Sequence, residues 1–326
     1  MFESQECWGD RGEWSGSKRI LESIWHARKP GTIRLYCYAL RKFFEHGVLC
    51  GRDLVLPIDS VSACAYVSYL RDSGASCGAV KVAYNAMKWA HNFVPGILAF
   101  NDPLDEKIVK RVFESALRAI QPNRNPKTPL SKEVIDRIFS QLHNASSLTE
   151  CRDALVVTLA FALLLRHDEV SHLSCAHLER VGKNVRVKIS SSKTDSLNIG
   201  RDMWLAEGKT TRLLDRYLFK AGLSFGMNHF LFGPIDPRGP GKGVKNEKLA
   251  YHTFRKILRT QLEGQGVDPV GFGFHSCRSG GATELAQNAT PYELMAQGRW
   301  KDQRSLAHYV EIPVQRRVQL SQLLSK

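Results

Sequence analysis

No two of the chain's eight cysteines stand as a C-x-x-C pair. That absence removes the zinc-ribbon and thiol-redox motifs. Cys37, Cys50, Cys64 and Cys77 are evenly spaced. Each lies in or beside an apolar, helix-like segment and reads as a small buried hydrophobe. Bilayer-length apolar runs are also missing. The longest, residues 154–165, is shorter than the roughly 20 residues a span needs and reads as a buried core helix. The opening residues M-F-E-S-Q-E-C-W lack the basic start and apolar core of a secretory signal. The expectation is an intracellular protein with no membrane partner, nuclear in a eukaryote, cytoplasmic or with the nucleoid in a prokaryote. Acidic residues are scarce: 32 Asp and Glu face 46 Lys and Arg, for a net charge of +14. A basic excess of that size points to a polyanionic partner, most often nucleic acid.

What is present suits packed cores: 326 residues, 43% hydrophobic, enough for two domains. Residues 1–16 show no period and read as a flexible arm. Residues 17–121 read as a helical bundle. Thr32 is placed to cap a first helix carrying Leu35, Tyr36, Leu40, Phe43 and Phe44. A second helix follows Ser60, a third spans about residues 79–93, and a fourth about 105–120. Arg34, Arg41, Lys42, Lys81, Lys88, Lys110, Arg111 and Arg118 are candidates to face a phosphate backbone, or simply solvent. Residues 122–129, rich in Pro and Asn, form the linker. Beyond it, residues 130–326 read as a mixed domain. Ser131 starts a helix, and the buried helix follows. Val185, Val187 and Ile189 alternate with Arg186 and Lys188 as a strand, which returns near residues 197–205. Helices follow near 210–221 and 247–263, with a glycine-rich loop between them that fits no phosphate-binding motif. Thr290 and Glu293 form a capping box with Pro291 at the first helical position, and Gly298 closes that helix. A short helix carries Leu306 and Tyr309, and an amphipathic tail spans 314–324. The expected fold is mainly α with a small β-hairpin or sheet.

The candidate chemistry is dispersed. Arg166 stands at the end of the apolar run, with Glu169 one turn on to brace it through a bidentate pair. Alone, Arg166 reads equally as a cation soothing a helix C-terminus. Lys193 sits in the hairpin turn S-S-S-K-T-D. His275 and Arg278, three apart at the start of a helix, can converge on one anion. His167, Asp168, Glu169, His172, Cys175 and His177 are metal-ligand types, but their spacing matches no zinc template.

Taken in order, the segments L-L-L-R-H-D-E-V, S-S-S-K-T-D, H-S-C-R-S-G-G-A-T, G-R-W and H-Y-V resemble the tyrosine recombinases, or phage integrases. The wording of the third and fourth segments looks like the recombinases of Crypton and DIRS-type transposons. The resemblance implies an N-terminal helical bundle and a catalytic domain that clamp double-stranded DNA, acting as a homo-oligomer, dimer to tetramer, without metal, ATP or cofactor. It also implies the roles. Arg166 and Arg278 bind the non-bridging oxygens of the scissile phosphate. Tyr309 attacks phosphorus and forms a 3′-phosphotyrosyl link. Lys193 protonates the leaving 5′-oxygen, His275 holds the phosphate and helps move the proton, and Trp300 contacts the phosphate through its indole N–H. Arg299, between Gly298 and Trp300, departs from the usual Gly-His or Gly-Trp pairing. Physically, preorganised cations stabilise the charge that gathers on phosphorus oxygens in the transition state. They also help deprotonate a phenol, whose ordinary pKa is about 10. Two other readings share these residues: a domesticated DNA-binding protein without catalysis, and a type IB topoisomerase.

Overall fold

The computed structural model describes residues 22–94, 102–120, 127–143, 146–190, 200–236, 243–307, 309–310, 317–318 and 321–322. The chain divides into two compact units, residues 1–124 and 125–326. The proposed arm, most of the linker and the Lys193 turn lie outside the described residues, as does most of the tail.

The first unit holds α1 (Pro30–Leu49), α2 (Ser60–Asp72), α3 (Cys77–His91) and α4 (Lys107–Ala119). Thr32 does not cap α1. That helix begins two residues earlier with Pro30 in its first turn, where the missing N–H costs nothing. Asp59 caps α2 through Ser62 N, and Ser76 caps α3 through Ala79 N. Phe43, Tyr66, Val67, Val80, Met87, Leu104 and Val109 form the core. Leu35, expected on the apolar face of the first helix, is exposed, as are Val61 on α2 and Ile108 on α4. Buried His91 ties this unit together: its Nε2 accepts from Ile58 N at 2.9 Å, and its Nδ1 meets Asp102 at 2.8 Å. Of the basic candidates, Arg41, Lys42, Lys88, Lys110 and Arg118 sit in surface ion pairs.

The second unit is built around α6 (Leu148–Ala162), which is buried over much of its length. A Ser147–Glu150 capping box starts it. Around it pack α5 (Lys132–Gln141), α8 (Lys209–Ala221), α9 (Tyr251–Gly264) and α10 (His275–Leu285). Short α7 (His167–Ser171) follows α6, and α11 (Pro291–Gly298) and α12 (Gln303–Ala307) end the described helical order. The sheet has three antiparallel strands in the order β1 (Leu178–Val181), β2 (Asn184–Ile189) and β3 (Arg201–Leu205). Val187 pairs with Leu178 on one side and Met203 on the other. The expected strand pair is therefore present, with β1 as an extra partner. The apolar face of β2, Val185, Val187 and Ile189, joins the α6 core. The helix expected from residue 247 begins instead at Tyr251, after Ala250.

Two glycines of α10 set how closely it approaches its neighbours. A Cβ on Gly280 would lie 1.9 Å from the Leu130 carbonyl oxygen, and one on Gly281 would lie 2.3 Å from that of Phe161. Leu130 N also donates to Ser276 O at 2.9 Å. The S-G-G segment therefore lets α10 lie directly on the backbone of α6 and of the strand-like lead into α5.

Candidate active site

Two helix ends face each other at the centre of the site, and both close in the same way. After α6, Leu165 N donates to Ala160 O at 2.9 Å and Leu164 N to Phe161 O at 3.3 Å. After α11, Trp300 N donates to Met295 O at 3.0 Å and Arg299 N to Ala296 O at 3.2 Å. Each is a Schellman turn, a motif whose left-handed residue is usually glycine. Here those residues are Leu164, with φ +51°, and Arg299, with φ +56°. A side chain in that region costs about 1–2 kcal/mol, so the surroundings must hold both turns in place.

This corrects two sequence-based expectations. Gly298 is not the left-handed closer of α11; Arg299 is. Gly298 serves a different need, since a Cβ there would lie 1.7 Å from the folded-back ring of Trp300. Arg166 is likewise not the last residue of the buried helix. α6 ends at Ala162, and Arg166 stands at the start of α7, beyond the turn. The soothing of a helix C-terminus falls instead to Arg278 and Arg299.

Arg278 is fully buried on α10. Its Nη1 donates to Leu164 O and its Nη2 to Gly298 O, one carbonyl from each helix end. Gly298 O is the last carbonyl of α11 and carries the negative end of its dipole, where a buried cation is well held; Leu164 O belongs to the turn just past α6. The Arg278 Nε has no partner among the described residues. Burial, with the charges of Arg166 and Arg299 nearby, pushes the Arg278 guanidinium down to about 9. A cation held at that disadvantage gains from any anion brought to it.

Glu169 supplies the balancing charge, and it too is buried. The expected bidentate brace with Arg166 is not what forms. Arg166 gives Glu169 one side-chain bond, Nη1 to Oε1 at 2.8 Å, and its backbone N bonds Oε2 at 2.9 Å. The remaining bond to Oε2 comes from Arg299 Nη2 at 2.7 Å. Burial raises the Glu169 carboxyl, but Arg299 and Arg166 outweigh it and hold the group below its ordinary range. Arg299 also reaches Leu163 O at 3.2 Å and Leu164 O at 3.0 Å.

The aromatic residues complete the site. Arg278 Cζ lies 4.4 Å from the Trp300 ring centre and 5.1 Å from that of Tyr309. The Trp300 and Tyr309 rings are 5.2 Å apart, and His275 is 6.2 Å from Tyr309. Trp300 is buried, yet its indole Nε1 has no partner among the described residues. Tyr309, half-buried, lies in a turn two residues past the end of α12 rather than on the helix. Its ring packs with Leu164, Ala282, Leu294, Trp300 and Leu306. His275, the first residue of α10, is exposed. Five of the six sequence candidates thus belong to one neighbourhood: Arg166, His275, Arg278, Trp300 and Tyr309. Lys193 lies outside the described residues. Arg299 is the buried polar member that motif reading noted only as an irregularity.

The metal-ligand types between His167 and His177 point to separate partners. His167 sits edge-on to Tyr251 and Phe254, His172 meets Asp168 O and Lys248, and His177 meets Ser174 and Ser190. Among the described residues, no three His, Cys, Asp or Glu side chains converge on a metal position. Nor is any helix long and apolar enough to cross a membrane.

The sequence profile of the phage integrase family matches residues 104–316. Three solved structures share the fold. The XerH site-specific recombinase bound to palindromic difH substrate, in a post-cleavage complex, aligns with a TM-score of 0.68 and 17% identity over 95% of this chain and 85% of that one. The Tn1549 transposon integrase in complex with transposon right end DNA aligns at 0.63 and 13% identity, over 94% and 98%. A lambda integrase dimer bound to a COC′ core site aligns at 0.58 and 15% identity, over 91% and 93%. No curated protein matches the chain by sequence.

Proposed function

The chain belongs to the phage integrase family, and from that premise we propose that it is a site-specific DNA recombinase whose nucleophile is Tyr309. The observation that carries the reading is the pairing of unsatisfied donors with the phenol. Arg278 Nε and Trp300 Nε1 are buried donors without partners among the described residues, in side chains packed against the Tyr309 ring. Buried donors are rarely left unpaired, and those that are call for a ligand or another explanation. A phosphodiester seated there accepts from both, and from Arg166, with Tyr309 beside it.

The Tyr309 hydroxyl gives its proton to solvent as its oxygen attacks phosphorus, and the bond from phosphorus to the 5′-oxygen breaks. The departing oxygen takes a proton from Lys193, with His275 holding the phosphate and helping the transfer. The phosphotyrosyl ester keeps the energy of the broken bond, so a 5′-hydroxyl from another strand reverses the attack and rejoins DNA without ATP. The arginines supply the charge stabilisation that divalent metals give elsewhere. Residues 17–121 and 130–326 each contribute DNA contacts and are joined by the linker at residues 122–129. A homo-oligomer assembled on double-stranded DNA brings two sites together for exchange. The substrate puts the protein where the DNA is, the nucleus of a eukaryote or the nucleoid of a prokaryote.

A nicked suicide duplex carrying the element's end sequence tests this. A covalent protein–DNA adduct is expected from the native chain and absent from Tyr309→Phe. No adduct on any end sequence would favour a domesticated DNA-binding protein. Adduct formation with supercoil relaxation but no exchange between duplexes would favour a type IB topoisomerase.

A further inference from the structure

The residue between Gly298 and Trp300 has a buried guanidinium spanning both turns of the site. Arg299 is 5% exposed and takes a left-handed backbone that suits glycine better. Four of its contacts lead to groups that hold the proposed phosphate ligands. Through Glu169 Oε2 at 2.7 Å it shares the carboxylate that fixes Arg166. Through Leu164 O at 3.0 Å it shares the carbonyl that fixes Arg278. Through Leu163 O at 3.2 Å it holds the other end of the same strained turn. Its own backbone N–H closes the turn that presents Trp300.

We infer that Arg299 is a positioning residue that locks the α6 and α11 end turns together, so that Arg166, Arg278 and Trp300 are set before DNA arrives. The inference rests on the recombinase reading of the same site. Arg299 makes no contact with Tyr309 among the bonds described, and its guanidinium points into the protein against Leu163, Leu164 and Glu169. Its effect on the reaction therefore runs through the residues it holds.

The physics favours positioning over bulk stability alone. Both left-handed residues carry side chains at an energetic cost, and such strain persists where neighbours over-determine it. Arg299 is one of those determinants for its own turn and, by two hydrogen bonds, for the Leu164 turn. Loss of the guanidinium leaves the Leu164 carbonyl held by Arg278 alone and leaves one Glu169 oxygen with only the Arg166 backbone bond. Shifts of about 1 Å in a phosphate clamp suffice to cost about 100-fold in rate.

Single-turnover cleavage and DNA affinity are measured for Arg299→Met, which keeps the bulk, and Arg299→Lys, which keeps the charge. The expected result is slower cleavage by about 10- to 100-fold in the Met variant, intermediate slowing in the Lys variant, and DNA affinity within about two-fold of the native chain. The pair Arg299→Met and Glu169→Gln should be non-additive, the double variant being no slower than the worse single one. Native cleavage rates in folded Arg299→Met, or additive effects with Glu169→Gln, would overturn the inference. If the Met variant does not fold, Arg299→Lys decides alone: an ammonium cannot reach Leu163 O, Leu164 O and Glu169 together, so an unchanged rate would overturn it. An inactive native chain, by contrast, would overturn the recombinase reading and not the role of Arg299 in the fold.

Discussion

The Arg278 guanidinium carbon lies 4.4 Å from the centre of the Trp300 ring, while the Trp300 indole Nε1 is buried without a partner among the described residues. The two facts separate packing from function. The ring's contact with Arg278 holds the site together, and its N–H is available to something the protein does not provide.

Trp300→Phe should therefore slow cleavage without unfolding the site. It keeps an aromatic ring over Arg278 and removes a donor that is unsatisfied in the free protein. Unfolding in urea should show a loss of about 1–3 kcal/mol, smaller than that of Trp300→Ala. Single-turnover cleavage should fall by about 100-fold, as for loss of one donor to a developing oxyanion. Trp300→Ala, which also leaves a cavity, should lose about 3–5 kcal/mol.

Glu169 should govern acid stability. Its carboxyl is held below the ordinary range by Arg299 and Arg166 against the opposing effect of burial. A carboxylate with a lowered folded pKa contributes stability that is fully present above its unfolded pKa of about 4.3. That contribution is lost as pH falls through the folded value. Stability measured from pH 7 down to pH 3 should therefore drop below about pH 4, and Glu169→Gln should flatten that part of the drop. At pH 7 the same substitution should cost about 3–5 kcal/mol, because it leaves buried arginine charge uncompensated.

Gly280→Ala should destabilise the catalytic unit. The new methyl would meet the Leu130 carbonyl oxygen at 1.9 Å, and backbone cannot rotate away as a side chain can. A loss of about 1–3 kcal/mol is expected in urea unfolding, with a lower cleavage rate because α10 carries both His275 and Arg278.

Much of this site was legible in the sequence because recombinase chemistry is written in side chains at fixed segments. Arg166, His275, Arg278, Trp300 and Tyr309 each sat in a motif, and motif order was enough to bring them together. The buried helix, the Thr290 capping box and the β2 alternation were also readable, since each is a local pattern with a direct physical cause. Backbone conformation was harder. Leu164 and Arg299 are left-handed without being glycine, so nothing in residue type marks either turn. Residue type places the close of α11 at Gly298, where the Trp300 ring requires a glycine, whereas the left-handed residue is Arg299. Strand β1 was missed because four residues, L-E-R-V, give too short an alternation to stand out. The role of Arg299 is hard to read for a related reason: most of its partners are backbone carbonyls, which every residue has, and its carboxylate partner Glu169 lies 130 residues away in the chain.

The central claim is that Tyr309 carries the DNA chain during the reaction. The most direct test digests the trapped protein–DNA adduct with protease and identifies the modified residue, and the end of DNA it holds, by mass spectrometry. The account predicts a nucleotide joined through its 3′-phosphate to Tyr309. A linkage on any other residue, or through a 5′-phosphate, would contradict it.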